Sequence, residues 1–310
     1  MKPIIVHIGH PKTGSSAIQH HLKINHQRLA EFGYSYPVPK ALLLAKSKVS
    51  SGNGDLFLRF DKPAEPVIFS NELLYAATNF QEGAEFHQKL MAYRDHIRIV
   101  IFTRDVFSHF LSAWGQGVKR GGRTETTDEF AQRYFNFNHL LLVVRFLEAQ
   151  GIEFVLRNHS RMDDAVDSFM RLVLGDQADA YLAGAEFEKS VVNRSLTLAE
   201  TELQRRLNEQ FGMSPAGWIA DQFVDLLPDV PSERQPLMQQ TIDRVLKVNG
   251  PAVEVLNGYL PDGEEIRTDT PVGDPDGDDP KHAEFRFSAE QLDVIARFCF
   301  SLGDQNGKEK

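Results

Sequence analysis

Pro3-Ile4-Ile5-Val6-His7-Ile8-Gly9-His10-Pro11-Lys12-Thr13-Gly14-Ser15-Ser16 opens the chain and sets its class. Residues 3–8 are a short β-branched run that ends at Gly9, the pattern of a buried parallel strand. From Ser15 the spacing turns helical, with Ile18, Leu22, Leu29 and Phe32 on one face and Gly33 as the stop. Strand, loop and helix follow in that order. A loop so placed presents backbone N–H groups and the positive end of a helix dipole, which favours an anion. Gly9 and Gly14 carry the G-x-x-x-x-G spacing of a nucleotide loop, yet Ser15 and Ser16 stand where a Walker A loop has Lys-Ser/Thr, and the lysine comes early, at Lys12. That departure argues against an ATP or GTP hydrolase.

Working outward, residues 67–69, 97–103 and 152–156 are further strand candidates, separated by sequence of helical spacing. Such alternation predicts an α/β fold, a parallel sheet with helices on both faces, and a ligand beyond the carboxyl ends of the strands. Past about residue 195 the strand signal fades, and residues 198–211, 235–248 and 289–302 read as helices. The expectation is one domain over 1–310, with an α/β core over 1–210 and a mainly helical part over 211–310. Within 261–281 the aspartates cluster among Pro and Gly, the composition of a solvated loop. Asp274, Asp276 and Asp278 hint at a calcium loop, but an EF-hand needs Gly where Asp279 stands and Glu where Phe285 stands. No metal site is expected.

A chain of 310 residues with 42% hydrophobic content can bury a full core. Its formal charge of −9 argues against nonspecific binding to nucleic acid or an anionic membrane, both of which depend on clustered Lys and Arg. The first 48 residues are nevertheless basic, with Glu31 their one acid. No apolar run approaches the roughly 18 residues of a membrane span, and residues 4–6 are too short for a signal-peptide core. The single cysteine, Cys299, lies between Phe298 and Phe300 and reads as a core thiol. A cytoplasmic setting is expected.

Pro11-Lys12-Thr13-Gly14-Ser15-Ser16 resembles the 5′-phosphosulfate loop of sulfotransferases that use 3′-phosphoadenosine 5′-phosphosulfate (PAPS), in which Pro-Lys-Ser/Thr-Gly-Thr/Ser-Thr/Ser follows the first strand. The flanks are similar to a bacterial branch of that family: His7-Ile8-Gly9 before the loop, Gln19 and Leu22 in the helix, then Gly33-Tyr34 and Tyr36-Pro37. Arg104, after the strand at 97–103, and Ser112 are eight residues apart, the separation of the Arg and Ser in the family's 3′-phosphate motif; Trp114 falls at its aromatic position and Val106 replaces its usual Pro. The segment Val191-Val192-Asn193-Arg194-Ser195-Leu196 resembles a further piece of the bacterial branch.

The resemblance implies a three-layer fold of the P-loop type and transfer of a sulfonate from PAPS to a hydroxyl or amine of a small molecule or glycan, carbohydrate being preferred. Lys12 would meet the charge that develops on the leaving phosphate. Thr13, Gly14, Ser15 and Ser16 would hold the 5′-phosphate, and Arg104 with Ser112 the 3′-phosphate. Arg194 joins the latter site, or else stands beside a helix cap at Ser195 or Thr197. A base must take the acceptor's proton. Glu72, just past the strand at 67–69, is one candidate and His10, within the loop, the other; His20 and His21 read as surface or packing residues. The basic stretch Lys119-Arg120-Gly121-Gly122-Arg123 either steers an anionic acceptor or is a solvated turn. Two alternatives stay open: a nucleotide-dependent phosphotransferase, and a nucleotide-binding protein without catalysis.

Overall fold

A computed structural model describes residues 2–38, 52–62, 65–76, 78, 83–187, 194–231, 233, 235–269 and 284–307. The chain divides into two compact units, each built from several stretches. One comprises Met1–Val106, Phe135–Ser190 and Asn249–Arg267; the other comprises Phe107–Tyr134, Val191–Val248 and Thr268–Lys310.

The first unit is α/β. Strands β1 (Ile4–His7), β2 (Ile68–Ser70), β3 (Ile97–Thr103) and β4 (Glu153–Asn158) form a wholly parallel sheet in the order β2-β1-β3-β4. Register pairs Ile5 with Ile68 and with Arg98, and His7 with Ser70 and with Val100. Because side chains alternate across the pleat, Ile5, Ile68, Val100 and Phe102 share one face. There they pack with Ile18 and Leu22 of α1 (Ser15–Ile24) and with Phe169, Met170 and Val173 of a helix at Ala165–Leu174. Phe69, on the opposite face, meets Phe57 and Phe60, with ring centroids 5.4 and 5.3 Å away. Helices thus cover both faces, and all four carboxyl ends lie along one edge.

The helix expected from Ser15 to Gly33 is two pieces, α1 and a short helix at His26–Glu31. Asn25 breaks it: its side chain donates to the carbonyls of His21 and Glu186 and accepts from the Glu186 N–H. A tertiary tie of this kind outweighs helical spacing.

The described elements of the second unit are helical. They include most of α2 (Val106–Arg120), then α3 (Leu198–Phe211) and α4 (Met213–Leu226), the start of α5 (Gln239–Asn257), and α6 (Ala289–Gly307). Their core gathers Leu196, Ile219, Phe223, Val294 and Phe298. Cys299 corrects its expectation: it is exposed. Val294 and Phe298, four residues apart, occupy the inward face of α6 and leave Cys299 and Phe300 facing out. Among the described residues no helix is long and apolar enough to cross a membrane.

Candidate functional site

The loop after β1 stays on the sheet at first, since the N–H groups of Ile8 and His10 donate to the carbonyls of Val100 and Phe102 on β3. It then curls through left-handed backbone at Gly9 (φ 52°), Lys12 (φ 71°) and Gly14 (φ 85°); Lys12 is the one non-glycine residue with positive φ among the described residues. Inside the curl the buried Thr13 hydroxyl donates to the His10 carbonyl at 2.6 Å, so its hydrogen is used to brace the loop. Gly14 is the N-cap of α1 and supplies no side-chain cap. Its carbonyl receives the N–H groups of Ala17 and Ile18, which leaves those of Ser15 and Ser16 at the helix mouth. The Ser15 hydroxyl is buried without a hydrogen-bond partner among the described residues, and it lies 2.9 Å from where a Cβ on Gly9 would stand. Ser16 is exposed and Lys12 half-buried.

Each neighbouring strand sends a residue to the same edge. Past β2, the Asn71 N–H donates to the His7 carbonyl, and the half-buried Glu72 follows with its Cβ 3.9 Å from the position a Gly9 Cβ would take. Past β3, Arg104 donates from Nη1 to the Lys12 carbonyl at 3.1 Å, clasping the loop at its left-handed residue. The neighbouring Asp105 pairs with Arg161, whose Nη2 stands 2.8 Å from Oδ2, and also accepts from Asn158 and from the Arg267 N–H. Past β4 comes His159, to which no sequence motif points. Its Nε2 lies 3.0 Å from where a Cβ on Gly14 would be. The strand read from the sequence at 152–156 ends short of it, and only β4's extension to Asn158 brings His159 to the strand end.

The structure gives the two base candidates different surroundings. His10 is fully buried, its Nδ1 is 3.2 Å from Thr103 Oγ1, and its ring lies 5.3 Å from those of Tyr75 and Phe137. Glu72 stands at the mouth of the loop. Burial pushes His7 down to about 4, so that imidazole is neutral beside Ser70 Oγ at 2.9 Å. Burial and the nearby Arg104 also lower His159, against the pull of Asp164.

Ser112 and Arg194 belong to the second unit. Ser112 is half-buried on α2, and the buried Trp114 donates from its indole to the Glu125 carbonyl. For Arg194 the structure corrects the ligand reading. Its Nε donates to the Leu227 carbonyl, Nη1 to the Ser195 carbonyl and Glu200, and Nη2 to Glu200 and the Phe223 carbonyl. All five N–H donors of a guanidinium are thereby used. Thr197 is the N-cap of α3, with a capping box to Glu200. Of the basic stretch, Arg120 pairs with Asp221, and Arg123 pairs with Glu125 while lying 4.0 Å above the Phe130 ring. Residues 191–193 and the aspartates at 274, 276, 278 and 279 lie outside the described residues.

At one edge of the first unit, then, a left-handed loop, an uncapped helix start, a carboxylate, a guanidinium and an imidazole come together. No family model, curated protein or solved structure matches the chain, so the chemistry of this edge rests on its own residues.

Proposed function

We propose that the protein is a PAPS-dependent sulfotransferase of the P-loop type that acts on a hydroxyl or amine, carbohydrate being the preferred acceptor class. The observation that carries this reading is the loop itself. An L-residue in left-handed backbone is strained by about 1–2 kcal/mol, and here the strained residue is the lysine, clasped through its carbonyl by Arg104. The Ser15 hydroxyl, buried and without a partner among the described residues, stands at an uncapped helix start and suits an anionic group. The donor supplies a sulfonate bound through oxygen to its 5′-phosphate, which leaves as the acceptor oxygen or nitrogen bonds to sulfur. On the chain's side, the N–H groups of Ser15 and Ser16 with the Ser15 hydroxyl hold phosphate, Lys12 balances the charge left on it, and Arg104 receives the 3′-phosphate. Glu72 takes the acceptor proton, because His10 is sealed among aromatic rings. An exposed free Cys299 suits a reducing cytoplasm.

Incubation with labelled PAPS and a panel of glycans and small molecules, read by mass spectrometry for added sulfonate, tests the reading. Lys12→Ala should lower the transfer rate about 10²–10³-fold with the fold intact, and Glu72→Gln about 10²–10⁴-fold with donor binding retained. A Lys12→Ala variant with undiminished transfer, or calorimetric preference for ATP with magnesium over PAPS, would sink it.

A further inference from the structure

His159 is the group at this edge that the proposed chemistry leaves without a task. It follows β4 directly, and its Nε2 and Cδ2 approach within 3.0 and 3.2 Å of the place a Gly14 side chain would occupy, against the start of α1. Its ring nitrogens make no hydrogen bond to the described residues, and the ring is half-buried. Two charged groups face it: Arg104 from the end of β3, and Asp164 from the N-cap of the helix at Ala165–Leu174, where that carboxylate accepts the N–H groups of Val166 and Asp167. From α1 it meets a helix start that carries N–H groups and the buried Ser15 hydroxyl, which has no partner among the described residues.

We infer that His159 is an anion-contacting residue of the loop, neutral while the loop is empty and protonated when a phosphate or sulfate group seats there, so that anion binding takes up one proton from solvent. The inference rests on the loop being an anion site, as proposed above. Partial burial and Arg104 keep the empty imidazole neutral. An incoming dianion reverses the local field, and an opposite charge within about 4–6 Å moves a titrating group by on the order of one to three units. The proton ends on an imidazole nitrogen, and no covalent bond to the anion forms. Linkage then makes binding tighten as pH falls, by at most about ten-fold per pH unit for a single proton.

The full-length protein labelled with ¹⁵N-histidine, with the His159 signals identified by their loss in His159→Gln, allows the imidazole to be titrated in place. Sodium sulfate, a dianion at every pH used, and adenosine 3′,5′-bisphosphate serve as probes. The His159 midpoint should lie below the ordinary histidine value without anion and rise by about one unit or more with either probe. Adenosine 3′,5′-bisphosphate should also gain more affinity between pH 8 and pH 6 in the wild type than in His159→Gln. A midpoint unmoved by saturating anion overturns the inference, and tight binding of the bisphosphate in that same experiment leaves the donor reading standing. If the midpoint rises but the bisphosphate binds no better than adenosine 5′-monophosphate, the inference holds and the donor reading falls. Failure of both probes to bind overturns both.

Discussion

Gly14 meets two constraints at once. Its φ of 85° is costly for any residue with a Cβ, and an added Cβ would stand 2.9 Å from the Ala165 Cβ as well as 3.0 Å from His159 Nε2. The Ala165 Cβ is fixed to its backbone and cannot swing aside. Gly14→Ala should therefore destabilise the protein by about 2–5 kcal/mol, the sum of left-handed strain and overpacking. Chemical denaturation monitored by circular dichroism would measure it; a loss under about 1 kcal/mol would mean that the loop relaxes and that its curl is not imposed. The glycine spacing was legible because glycine is the residue that left-handed backbone favours. His159 was not, because a histidine after a strand belongs to no pattern, and its partners come from α1 and β3, far away in the sequence.

At the scale of elements, α3 shows why one arginine had two readings. Thr197 and Glu200 spell a capping box three residues apart, and that local signal is correct. What holds Arg194 is not local: the carbonyls of Phe223 and Leu227 lie 29 and 33 residues on, and Gln291 donates to Glu200 from 91 residues beyond it. Both side chains of the Arg194–Glu200 pair are almost wholly buried. Removing one member of such a pair strands the other, so Arg194→Ala should cost about 3–5 kcal/mol while the folded fraction keeps its affinity for adenosine 3′,5′-bisphosphate. A variant that melts like the wild type but loses that affinity would restore Arg194 to the ligand site. Glu200 adds a pH dependence: burial alone raises its carboxyl, but the hydrogen bonds from Arg194, Thr197 and Gln291 together outweigh burial and hold it below the ordinary glutamate value. Helices were legible where apolar spacing was clean. Pro215 obscured α4, although proline is tolerated in the first turn where Pro215 lies, and Pro251 hid the continuation of α5 to Asn257.

Across the whole molecule, the parallel sheet and its shared carboxyl edge were legible as four apolar runs separated by helical spacing, whereas the order β2-β1-β3-β4 was not, because strand pairing is set by tertiary contacts. The interleaving of two units was not legible either, because nothing in local composition marks the points where the chain passes from one to the other. That division has a consequence in acid. His7, His21, His87, His139 and His159 all belong to the first unit, and burial is the leading cause that lowers each of them, His7 and His21 to about 4. Unfolded, these imidazoles take protons below about pH 6.5; folded, they resist until the pH is lower. The unfolded state therefore binds more protons through that window, and stability is lost as pH falls from about 6.5 toward 4. His7 alone contributes roughly 3 kcal/mol to that loss, at about 1.4 kcal/mol per unit. In the second unit Glu200 and Glu202 are lowered carboxyls, burial opposing their hydrogen bonds from Arg194 and Arg205, so their stabilisation is present above the ordinary glutamate value and goes only below it. Hydrogen exchange followed from pH 7.5 down to pH 4.5 should show the sheet amides of β1 and β3 losing protection before those of α3. Equal loss in both units, or a flat profile above pH 5, would mean that the buried histidines do not govern the acid response.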